Sequence, residues 1–173
     1  MTTTDAYDLQ FEGLVTIHRA IDGVFQQIID AAEAPLSVIV PGARGAAAFL
    51  MAHHHAESDV LFPALRRCGR MRSTDVSALD ARDREHVELH ALCDRIIAAA
   101  ARPAPSAAEL AALALETRDR LRAHVAEEEL SLAAARLREM ASLDDLAEIN
   151  RQLEELRARA QAQGIGPVVA VPA

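Results

Sequence analysis

The chain has 173 residues, 51% apolar and 25% charged, which suits one domain with its own core and is too apolar for a disordered tail. Aromatic residues make up 3%, with no Trp and a single Tyr, Tyr7, which argues against a base-stacking nucleic-acid surface. A formal charge of −8, with Arg as the only basic residue type besides His, argues against a polyanion or an anionic membrane surface as partner.

The pattern is helical throughout. A first segment, about 5–33, places Phe11, Leu14, His18, Ile21 and Phe25 at spacings of three and four, one face of a helix. Pro35, Pro41 and Gly42 punctuate the first connection. A second segment, about 42–68, carries a stripe of Phe49, Leu50, His53, Glu57, Val60 and Leu61; Pro63 should loosen the turn before it, and Gly69 can end it. A third, about 74–101, aligns Leu79, His86, Leu89, His90, Cys93 and Ile97. A fourth opens at Ser106, with Glu109 completing a capping box, and runs to about Met140. Ser142 with Asp145 opens a fifth, shorter helix to about Gln163, with Leu146, Ile149, Leu153 and Leu156 along one side.

Four long helices with short connections predict an all-α fold, an antiparallel up-down-up-down four-helix bundle with an additional C-terminal helix. The expected division is a bundle over 1–140, an accessory helix over 141–163 and a disordered tail over 164–173. Two cysteines, Cys68 and Cys93, make no disulfide framework. Residues 1–8 lack the basic and apolar regions of a signal peptide, and no apolar run reaches membrane-spanning length. The expectation is a cytoplasmic protein, a monomer or weak homo-oligomer, with neither nucleic acid nor membrane as partner.

Each long segment carries histidine. The pairs His53/Glu57, His86/His90 and His124/Glu128 are spaced i,i+4, so each can present two ligands to one point, Cβ atoms about 5–6 Å apart. Taken singly, each is an ordinary boundary histidine or surface pair. Taken together with His18, they put polar groups on the apolar stripe of four helices at once, which is costly without a shared purpose. In an antiparallel bundle, residues at one level lie equally far from the loop joining their helices. His18, His53, Glu57, His86 and His90 meet that condition, and His124 and Glu128 meet it if the fourth helix overhangs. Imidazole with carboxylate suits Fe, Mn or Zn. Seven protein ligands exceed the roughly four to six of one transition-metal ion and suit two ions bridged by two carboxylates. Structural zinc is the rival, but it favours closed, often Cys-rich sites, and neither Cys lies in a CxxC motif.

The order H…HxxxE…HxxxH…HxxxE resembles the hemerythrin-like (HHE cation-binding) domains over about Leu9 to Met140. The strings His53-His54-His55-Ala56-Glu57, Leu61-Phe62-Pro63, Glu85-His86 and His124-x-x-x-Glu128-Glu129 add to the likeness. The resemblance implies a non-heme di-iron centre: two Fe ions, oxo- or hydroxo-bridged. His86, His90 and His124 would hold one. His18 and His53 would hold the other, with an open position, and Glu57 and Glu128 would bridge. Oxygen-carrying hemerythrins use HxxxxD on the fourth helix. This chain has HxxxE, with Glu129 as the alternative bridge at i+5. Within the triplet, His53 is taken as the ligand, and His54 and His55 as boundary, surface or supporting groups. Glu127 and Glu129 read as solvated surface, and Cys93 as a small buried hydrophobe. The small ligand implied is O2, peroxide or NO. Two functions stay open: a carrier, store or sensor acting through a partner, and an enzyme of catalase, peroxidase or oxygenase type.

Overall fold

The computed structural model describes residues 5–162, all regular structure in that span being helical. The expected tail, 164–173, lies outside the described residues. Helix α1 (Ala6–Asp30) opens on Asp5, whose carboxylate accepts from the backbone N–H of Tyr7 and Asp8 at 3.0 and 3.1 Å. Helix α2 (Leu36–Ala56) starts six residues earlier than the Pro41–Gly42 punctuation suggests. Pro41 is exposed and forfeits one bond, to Ser37, near the helix start, where the loss is tolerated. Gly42 is used for contact: a Cβ there would stand 2.8 Å from Cδ1 of Ile28 on α1.

Pro63 leaves its mark upstream. The turn Glu57–Leu61 is a π turn, in which the N–H of Phe62 bonds the carbonyl of Glu57, five residues back. Pro63 has no N–H for Asp59, and the wider turn absorbs the mismatch before α3 (Phe62–Arg67) resumes the helix. Gly69, at φ +67°, ends it in the left-handed conformation that a side chain resists.

Helix α4 spans Ser73–Ala100 and α5 spans Ala107–Ser131. The fourth segment is therefore two helices, since the chain breaks at Leu132–Ala133 before α6 (Ala134–Met140). Ser106 caps α5 by accepting from the Glu109 N–H at 3.3 Å, but the box is half made, because the Glu109 carboxylate turns to Arg102. Ser142 and Asp145 form the full reciprocal box at the start of α7 (Leu143–Ala162).

The long helices pack in a ring: α1 against α2 and α5, α4 against α2 and α5. Helix α7 lies over α1 and the π turn, and the Tyr7 hydroxyl donates to the carbonyl of Ala141 at 3.1 Å, tying α1 to the α6–α7 joint. Two apolar clusters form. One holds Ile21, Phe25, Ile39, Leu50, Leu89 and Leu121. The other holds Leu61, Phe62, Leu79, Leu132, Ile149 and Leu153. Ile96, not Ile97, is the inward residue of that turn of α4.

The chain alternates between the two clusters along the long helices and the residues that follow them, and buried histidines lie between: His18 before Ile21, His53 and His54 after Leu50, His86 before Leu89, His124 after Leu121. The continuous stretch Leu36–Arg67 does have the length and composition of a membrane span, contrary to the expectation that no run reaches it. Core helices share that property. Here the stretch carries buried His53, His54 and Glu57, groups that are costly inside lipid.

Candidate metal centre

Helix periodicity brings the polar groups to one level. Two clusters result, each with its ligand atoms within 4.8 Å of one another: His18, His53, Glu57 and Glu128, and His54, His86 and His124. All seven residues are buried. Glu57 touches both groups, with Oε1 3.3 Å from Nε2 of His53 and Oε2 3.6 Å from Nε2 of His86. Glu128 does the same from the opposite wall, its Oε2 lying 3.2 Å from Nε2 of His18 and 3.4 Å from Nε2 of His124. Within the second group, Nε2 of His86 faces Nε2 of His124 at 3.3 Å. Two atoms bound to one ion at about 2.1 Å each stand about 3 Å apart, so these separations match a shared coordination shell.

Outer partners fix the rings. Nδ1 of His18 donates to Glu129 at 2.9 Å, and Nδ1 of His124 donates to Glu85 at 2.8 Å. Nδ1 of His86 faces the Ser58 hydroxyl at 2.9 Å, and that hydroxyl donates to Asp83 at 2.7 Å. Arg66 holds Asp83, and Arg82 holds Glu85. With Nδ1 engaged outward, Nε2 of each ring is the atom aimed inward, an arrangement typical of metal-binding histidines.

What faces inward is left without a hydrogen-bond partner. Both oxygens of Glu57, both of Glu128, Nε2 of His18 and His53 and both nitrogens of His54 are buried and unsatisfied. Two buried carboxylates among unpaired imidazoles are very costly unless cations neutralise them. Bound metal ions supply that missing charge, and these donors fit them.

Burial pushes His53 down to about 3, helped by the neighbouring His18. Burial and His124 push His86 down to about 4, and burial and His86 hold His54 well below the usual range. All three rings are thus neutral at pH 7, the form that binds metal. Burial, then the charge of Glu128, drives Glu57 well above the usual carboxylate range. Burial opposes ionisation of Glu128 as well, but the close approach of the His124 and His18 rings outweighs it and lowers its pKa. For His18 burial opposes the charge, while Glu128 and Glu129 overcome it and raise the pKa.

Of the residues singled out from sequence, His18, His53, Glu57, His86, His124 and Glu128 converge here. His90 does not join either cluster. It is half-buried, its ring stacks on that of His54 at 5.3 Å, and its Nε2 is buried without a partner. His54 is a correction: it is 0% exposed, not a boundary or surface group, and lies on the His86 ring at 3.9 Å and 9°. Consecutive residues on α2 point about 100° apart, so His53 turns to α1 and His54 to α4. His55 is exposed, beside Asp59. Glu129 is a second correction, because its carboxylate is engaged by His18 and is not simply solvated. Cys93 is core, its thiol pushed up to about 12 by burial and by Asp94. Reading along single helices missed Ser58 and Glu85, whose partners lie across the bundle; the only local signal was their place beside Glu57 and His86.

The family model described as the hemerythrin HHE cation-binding domain matches residues 10–136. The chain belongs to the hemerythrin HHE family. Neither the curated proteins nor the solved structures yield a match. The match runs from within α1 into α6 and takes in every residue of the two His and Glu groups, while α7 lies beyond it. Membership in the hemerythrin HHE family implies cation binding, and the His and Glu clusters are where a cation would sit.

Proposed function

We propose that this domain holds two iron ions side by side and uses them to bind O2, peroxide or NO, as a carrier or sensor in the cytoplasm. One observation carries the reading: Glu57 and Glu128 each touch a histidine of both clusters. Two carboxylates so placed are suited to bridge two ions. His18 and His53 would hold the first ion. His86 and His124 would hold the second, with His54, which the structure adds, and His90, which the family pattern supplies. The first ion then has fewer protein ligands and keeps an open position.

The iron pair would supply the redox-active, ligand-binding centre. The chain's own part is positional and electrostatic. Ser58, Glu85 and Glu129 orient the rings, and the apolar clusters on either side exclude water. A histidine-rich shell with two carboxylates carries less negative charge than the carboxylate-rich shells of ferritin-like di-iron proteins, which favours the reduced pair.

The order of apolar clusters supports an antiparallel up-down-up-down bundle. Chain direction runs from the second cluster to the first in α1 and α4, and from the first to the second in α2 and α5. A cytoplasmic monomer or weak homo-oligomer fits the acidic composition.

The test is an optical spectrum of anaerobically reduced, iron-loaded protein as O2 is added, with metal content measured on the same sample. Two irons per chain and a lasting visible band that vanishes on deoxygenation are expected. One metal per chain, or a preference for zinc, would overturn the reading. An enzyme acting on peroxide or a small molecule is the second reading, favoured by a cavity of about 380 Å³ that ends on His53 and Glu57.

A further inference from the structure

That cavity lies between α1, the π turn and α7. Small-molecule sites run about 300–1,000 Å³, whereas a water molecule occupies about 30 Å³ in the liquid and a diatomic gas needs little more. The space therefore far exceeds the needs of O2 or NO.

Its lining differs in burial and polarity. His53 and Glu57 are buried, Leu14, Leu61 and Leu153 are apolar, and Gln10, Asn150 and Arg157 are half-buried polar groups. Glu154, also on the lining, is exposed at the rim.

Arg157 identifies the kind of ligand. Among the described residues, the arginines that are not exposed are Arg66, Arg82, Arg118, Arg136 and Arg157. Arg66 pairs with Asp80 and Asp83, Arg82 with Glu85, Arg118 with Asp22, and Arg136 with Asp75 and Glu139. Arg157 alone has no carboxylate partner among the described residues, and it faces the cavity. A half-buried guanidinium is costly unpaired, and its planar fork matches a carboxylate.

We propose that this cavity binds a small organic anion, with its carboxylate on Arg157, its apolar body along Leu14, Leu61 and Leu153, and its far end beside His53 and Glu57. The placement of that far end next to a metal rests on the function proposed above. Helix α7 supplies Leu153 and Arg157 from outside the matched family region.

Hexanoate, titrated calorimetrically into metal-loaded protein of measured metal content, tests the proposal. Saturable binding at one site per chain is expected, at least about tenfold tighter than hexan-1-ol or hexylamine, with a shift in the visible spectrum of the loaded protein. Arg157→Gln should weaken hexanoate at least about tenfold with metal content unchanged, and Leu153→Trp should block it. Two metals per chain with no hexanoate binding at about 10 mM, or equal binding by Arg157→Gln, would overturn the anion site and leave the metal reading intact. Fewer than two metals per chain would overturn the metal reading. Hexanoate binding to that same protein would still support the anion site if Arg157→Gln abolished it, and would overturn it if the variant bound equally.

Discussion

Nδ1 of His18 donates to Glu129 at 2.9 Å, while Nε2 of the same ring stands 3.2 Å from Glu128. Adjacent glutamates on α5 therefore grip one imidazole from opposite sides, and they take different roles. Glu128 is buried and faces both clusters, whereas Glu129 is partly exposed and faces the outer nitrogen.

Glu128→Ala should abolish binding of two metals. Glu129→Ala should keep both but weaken them about 10- to 100-fold, the usual cost of removing an outer partner of a ligating histidine. Glu129→Gln, which still offers an acceptor, should recover most of the loss. Competition against a chelator of known affinity measures all three. Loss of two-metal binding in Glu129→Ala with retention in Glu128→Ala would make Glu129 the bridge.

The histidine triplet divides in the same manner. His54→Ala should lower metal content toward one per chain, because His54 stands with His86 and His124. His90→Ala should retain two metals more weakly held, and exposed His55→Ala should change nothing. Metal analysis after gel filtration reads each variant. If His90→Ala loses a metal and His54→Ala does not, His90 is the ligand and His54 only a ring stacked on His86.

Sequence periodicity made the four long helices and the spacing of His53/Glu57 and His124/Glu128 legible, because those features repeat within one helix. His54 was hidden by the same logic. A single stripe allows one inward line per helix, but α2 packs on both α1 and α4, and its inward wedge spans two consecutive residues. The wedge starts at Leu50, with His53 at i+3 and His54 at i+4. The outer partners Ser58, Glu85 and Glu129 grip rings on other helices, so spacing within one helix does not show what they do. Pro63 announced a disturbance in α2 but not its form, the π turn that begins at Glu57.

Asp22 links α1 to α5 by accepting from Arg118 and Arg122, whose hydrogen bonds lower its pKa from 3.8 to about 2. A depressed folded-state pKa means the stability is fully present above the unfolded value of 3.8 and is lost as pH falls through about 2. The carboxylate is 30% exposed, so solvent screening reduces its contribution to about 1 kcal/mol. Asp22→Asn should cost the metal-free protein about that much at pH 7 and flatten its loss of stability between pH 4 and 2. Urea melts across that range check it. An unchanged slope would show that the pair does not carry acid sensitivity.

Two glycines of α2 separate helix propensity from helix contact. A Cβ at Gly45 meets nothing within 4 Å, whereas one at Gly42 stands 2.8 Å from Cδ1 of Ile28. Gly45→Ala should stabilise the metal-free protein by about 0.5–1 kcal/mol, the ordinary gain from replacing glycine inside a helix. Gly42→Ala receives the same gain but must displace the end of a buried isoleucine, so the two effects should nearly cancel. Urea midpoints of both variants, compared at constant slope, decide it. Equal stabilisation by both would mean that Ile28 yields freely and that α1 and α2 are not held close by Gly42.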